Sequence, residues 1–259
     1  MIQRFRYGMV DVGTLIQLAF DIYGKYFKYI VIIGLGIYIP VGVVNELLLP
    51  EGSLLELPQS PDISALLRIL FGLGMVMVAV LPLETAALTY FVWQKLKGED
   101  VVPEGIMDAT FGNWHKLFVT ALIYYSVVCF AMILIFPAVI IGVWAHFGEN
   151  IVVTEKKSGI AALRKSAAIV KGHWWRTAFI LFMLWFASLV LKTMISVGVV
   201  FVLIFVELLF GSMSLVAQVV VILASAVAET ICMLFKLIGA LYFFNLYYIA
   251  ERMEQDAIL

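Results

Sequence analysis

Charge is scarce in this sequence. Of its 259 residues, 14% are charged and 64% are hydrophobic, and the mean hydropathy is +1.06. Soluble domains carry about 25% charged residues. So few charges cannot give a chain of this length a water-compatible surface. A soluble globular protein is excluded, and a polytopic membrane protein is expected. Cysteine is scarce too. Cys129 and Cys232 both stand in apolar runs, which argues against a disulfide framework and suits small buried side chains. Arg4 and Arg6 precede Asp11 without a long apolar core, so no cleavable signal peptide is expected and the first apolar segment directs insertion. No G-x-S-x-G stretch occurs. Gly34-Leu35-Gly36 and Gly72-Leu73-Gly74 lack the strand that a dinucleotide loop needs, and they read as close helix contacts.

What is present is a repeated grammar, clearest over Glu155–Val190. A basic amphipathic segment runs into the junction Gly172-His173-Trp174-Trp175-Arg176, and a long apolar run follows. Residues 10–28 show polar or small residues at Asp11, Thr14, Gln17, Asp21, Gly24, Lys25 and Lys28, in steps of three and four. Leu15, Leu18, Ala19, Ile22, Tyr26 and Phe27 form the opposite face, which predicts a helix lying on the membrane. The alternative is a transmembrane helix that begins early. Surface helices are expected again over 103–116 and 155–176. The three units form a loose repeat, which any surface helix feeding a span would also produce.

Spans are expected at about 29–45, 69–93, 117–135, 138–153, 177–203 and 216–241. Pro82 kinks the second. Leu117–Val153 is too long for one crossing of a ~30 Å core, and Phe136-Pro137 is the natural turn. Between Thr177 and Ile249 the simplest reading is two spans, and three also fit by length. Under six crossings almost every lysine and arginine falls on one side, with Arg68 the near exception. The positive-inside rule then puts both termini and all three surface helices in the cytoplasm. Trp114, Trp174 and Trp175 stand at the boundaries as interface anchors.

Several residues resemble a bacterial and archaeal family of integral membrane proteins, named for the membrane domain of glycerophosphoryl diester phosphodiesterases. They are Pro137, Glu155, Ala161-Ala162-Leu163-Arg164-Lys165-Ser166, Val170-Lys171-Gly172 and Trp175-Arg176. The two ends of the chain, Val12–Phe27 and Leu241–Arg252, look like the family's ends as well. The resemblance implies six spans and a cytoplasmic basic helix. It does not imply phosphodiesterase activity, which in that family belongs to a separate soluble barrel.

Charges inside apolar runs are costly and are candidates for function. Here they are Glu84, Lys192, Glu207, Glu229 and Lys236. Glu229 and Lys236, seven apart, share a helix face, and Lys192 reaches Glu229 if its helix is an antiparallel neighbour. They read either as an ion or proton path, or as pairs that fix helix register. Lys156, Lys157, Arg164, Lys165, Lys171 and Arg176 are candidate contacts for anionic lipid, at roughly 1 kcal/mol per charge near such a surface. Their other role is to orient the spans. His146 and Glu149 have helical ligand spacing, but nothing else of ligand type is near in sequence, and no metal is expected.

The sequence therefore predicts a single all-α polytopic domain, 1–259, in the inner membrane. The leading function is non-enzymatic: a lipid-associated scaffold or accessory component of a membrane or transport system. The alternatives are a small carrier or channel using the internal charges, and a lipid-modifying enzyme that lacks a catalytic constellation. Expected partners are anionic lipids and a protein partner or second copy, with no nucleic acid and no cofactor.

Overall fold

A computed structural model describes residues 5, 8–48, 72, 74, 76–210 and 214–256. The expected acidic loop, Arg68 and most of the start of the second span fall outside them. Among the described residues all regular structure is helical. Four helical stretches are long and apolar enough to cross a membrane: Phe27–Val44, Trp114–Glu155, Trp174–Phe205 and Val219–Met253.

The first helix, α1, runs Val12–Lys25, and α2 runs Phe27–Leu48. Asp11 caps α1, accepting from the Thr14 N–H at 3.1 Å, which satisfies a donor that the first turn leaves free. The expected apolar face is buried at Leu15, Leu18, Ala19, Ile22 and Tyr26, whereas Phe27 is exposed. Tyr26 leaves helical geometry, so one helix ends and the next begins there.

A π-helical turn, Val76–Val80, leads into α3, Leu81–Lys97. Pro82 falls in the first turn of α3, where its missing N–H has no intrahelical partner to lose. The short α4, Pro103–Met107, continues as a π turn over Asp108–Gly112. Trp114, His115 and Lys116 already belong to the next helix, α5, Trp114–Ala131. The surface segment expected over 103–116 therefore stops short of them.

The 42-residue stretch that follows is a hairpin. After α5 the chain tightens to a 3-10 turn over Met132–Leu134, then α6 spans Ile135–Ala145 and α7 spans Gly148–Glu155. Tyr124 donates to the Gly142 carbonyl at 3.4 Å across the pair. The turn lies a few residues before the expected Phe136-Pro137, because Pro137 fits in the first turn of α6. The α6–α7 break at His146-Phe147 was not expected. Ser166 bridges it from α8, Gly159–Val170, accepting from the Phe147 N–H at 3.1 Å and donating to the Trp144 carbonyl at 2.7 Å. Gly172 turns the chain after α8 with φ +88°, a conformation that glycine adopts without penalty.

The last apolar region forms two antiparallel helices, α9 over Trp174–Phe210 and α10 over Ser214–Asp256. Their 37 and 43 residues give rods of roughly 55 and 65 Å, longer than a ~30 Å hydrocarbon core. Helix α10 is the central post, packed against α1, α2, α3, α8 and α9. Its segment Leu241–Asn245 is fully buried. Two glycines of α2 allow its approach. A β-carbon at Gly34 would collide with Thr230, and one at Gly42 would meet Ile222 at 2.9 Å. A β-carbon at Gly36 would meet nothing within 4 Å among the described residues, so there only Gly34 of that pair makes the expected close contact. In lipid, burial exchanges one apolar environment for another, so close packing of this kind does most of the holding.

Candidate functional site

Contacts between distant segments gather the basic residues at one end of the bundle. Lys25 lies 3.9 Å from Asp100. Lys116 donates to the Lys156 carbonyl at 3.2 Å, and the Lys156 ammonium lies 3.7 Å from Asp108. Arg176 donates to the Val10 carbonyl at 2.9 Å. These contacts join the end of α1 to the segment after α3, the start of α5 and the turn at Asp108 to the end of α7, and the start of α9 to the segment before α1. Buried Asn245 ties the chain ahead of α1 to α10, donating to the Phe5 and Gly8 carbonyls and accepting from the Val10 N–H, each at 3.1 Å.

Aromatic rings collar this end. Trp114 packs on Phe118 at 5.6 Å, and Trp174 meets Trp175 edge-on at 4.7 Å. Trp175 is 80% exposed, as suits a headgroup anchor. Lys97 sits 3.9 Å over the Trp93 ring, beside a cavity of about 380 Å³ that Tyr247, Tyr248 and Glu251 also line.

The six expected lipid contacts divide into two sets. Lys156, Lys157 and Arg176 hold partners in the protein, Lys157 pairing with Glu155 at 2.6 Å. Lys165 is half-buried and also engaged. Arg164 and Lys171 are exposed and, among the described residues, form no ion pair. These two are the cations left facing outward.

The charges within the apolar helices form two pairs. Lys192 of α9 lies 2.6 Å from Glu229 of α10, as antiparallel packing allows. Lys236 does not join them, although it shares a helix face with Glu229. It turns to Glu84 of α3, at 2.5 Å, and donates to the Tyr38 hydroxyl of α2 at 2.9 Å. Tyr38 in turn donates to Glu84, which is wholly buried, its second oxygen without a partner among the described residues. Three helices are thus clamped by one carboxylate. Glu207 lies in α9, but its side chain is outside the described part.

Between the two pairs lies a cavity of about 350 Å³. Thr85 of α3, Tyr124 and Tyr125 of α5, and His146, Phe147, Glu149 and Asn150 around the α6–α7 break line it. Trp185, Ser188 and Lys192 of α9 and Phe235 and Lys236 of α10 complete the wall. The Thr85 hydroxyl donates to the Leu81 carbonyl at 3.1 Å. Asn150 is held by Thr89 at 2.8 Å. His146 and Glu149 face the same space. Among the described residues, however, no group of three His, Cys, Asp or Glu side chains stands close enough to hold a metal ion.

Sequence reasoning found both pairs' members but missed the cavity. Its signal was present in the polar residues of the third apolar stretch, Tyr124-Tyr125 and Glu149-Asn150. Their convergence depends on the hairpin and on the break after Ala145, which no local pattern announces. No family model, curated protein or solved structure matches this chain.

Proposed function

We propose that this chain is a six-crossing, non-enzymatic protein of the inner membrane, with both termini cytoplasmic. In this reading it is a scaffold or accessory module that associates with anionic lipid. One observation carries the reading: a tryptophan-collared end of the bundle collects the cations, with Arg164 and Lys171 left outward. Anionic headgroups attract such charges by roughly 1 kcal/mol each. The hairpin of α5 with α6–α7 supports counting two crossings where length alone gives one very long helix.

The test is lipid retention. In native mass spectrometry, the double variant Arg164→Gln/Lys171→Gln is expected to lose bound cardiolipin or phosphatidylglycerol while keeping phosphatidylethanolamine. Equal retention of the anionic lipids rejects the lipid role. A second reading, a small secondary carrier, is favoured by the cavity between the two ion pairs, where Glu149, Lys192 and Lys236 stand among mainly apolar walls.

A further inference from the structure

The cavity has an unbalanced charge. Three carboxylates, Glu84, Glu149 and Glu229, stand on or just behind its wall, against two ammoniums, Lys192 and Lys236. Each lysine already has its own carboxylate, at 2.5 and 2.6 Å. Glu149 has, among the described residues, no cation in salt-bridge range, and the Lys236 ammonium that acts on it from farther off is already paired with Glu84. The other titratable groups facing it are His146, Tyr124 and Tyr125.

A carboxylate without a salt-bridge partner of its own is costly in so apolar a setting, and two things relieve it: a proton, or a cation brought from outside. An anion would find both lysines taken and a carboxylate in its way. The walls favour a cation further. Tyr124, Tyr125, Phe147, Trp185 and Phe235 present aromatic rings, whose faces attract positive charge. The volume, about 350 Å³, lies in the range of small-molecule sites. Trp185 is 60% exposed on the outer side of α9, so the rim faces the surrounding lipid.

We infer that this cavity binds a lipophilic organic monocation, which takes the place of a proton on Glu149. The carboxylic acid releases its proton to water as the cation enters, and the site stays neutral in both states. The inference rests on the cavity alone, so it stands or falls separately from the lipid reading.

Tetraphenylphosphonium and tetraphenylborate have nearly the same shape and opposite charge, and they test it. Binding is measured on the purified full chain in detergent across about pH 5 to 8, the range of ordinary buffers around the histidine midpoint. The phosphonium is expected to bind more weakly as pH falls, and at least about tenfold more tightly than the borate. Glu149→Gln is expected to weaken phosphonium binding by at least about tenfold and to remove its pH dependence. Equal binding of the two ions overturns the inference, as does phosphonium binding that ignores pH or survives Glu149→Gln unchanged. If that variant does not fold, the two wild-type measurements decide.

Discussion

Lys192 of α9 lies 2.6 Å from Glu229 of α10, an ion pair between two long apolar rods. Either residue alone leaves a charge facing apolar surroundings. Lys192→Met is therefore expected to destabilise the protein by about 3 kcal/mol, the cost of one charged side chain at the centre of a helix in lipid. The double variant Lys192→Met/Glu229→Met should recover most of this. Thermal unfolding in detergent checks it, and a double variant no better than the single one removes the pair from the account.

Asn245 is expected to matter more than a buried amide usually does. It satisfies three backbone groups of the segment ahead of α1. Asn245→Leu should cost about 2–4 kcal/mol, since the groups it abandons stay buried or must find water. Hydrogen exchange should rise at Val10 and its neighbours before it rises elsewhere in the chain. Unchanged protection there would show that the amide holds nothing.

Gly34→Ala is expected to push α2 away from α10, because the new methyl meets Thr230. Overpacking of this kind costs about 1–3 kcal/mol. Adding Thr230→Ala should restore stability, since the obstruction is the threonine side chain. A melting curve of the double variant that stays with the single variant argues for a different cause.

Ser166→Ala removes both bonds at the α6–α7 break and leaves the Phe147 N–H without a partner. A loss of about 1–2 kcal/mol is expected. Because Phe147 also lines the cavity, phosphonium binding should weaken along with stability. Ser166→Thr keeps the hydroxyl and should keep more of both.

The orientation is open to direct measurement. A cysteine placed by Lys171→Cys, in a chain carrying Cys129→Ala and Cys232→Ala, should escape a membrane-impermeant thiol reagent in intact cells. Labelling from outside would reverse the orientation proposed for every span.

Much of this architecture was legible in the chain because lipid imposes simple rules. A run of apolar residues must be helical, and a tryptophan beside lysine marks a boundary. Gly13–Lys28 could be read as an amphipathic helix, and Leu15, Leu18, Ala19 and Ile22 are indeed buried. Its buried face packs against the protein rather than only against lipid, which a one-dimensional pattern does not distinguish. Lys192 and Glu229 were legible as partners because antiparallel helices repeat on a common period. The pairing of Lys236 with Glu84 was not, since it depends on how α3 crosses α10. Glu149 stood out in the chain only for its spacing from His146, yet among the described residues its significance lies in having no cation within salt-bridge range. That is a property of the packed bundle.

The post at the centre of the bundle is one unbroken rod. Glu229 and Asn245 lie sixteen residues apart on it, or about 24 Å at ~1.5 Å per residue. The same rod that lines the cavity with Phe235 and Lys236 also fastens, through Asn245, the strap of chain ahead of α1.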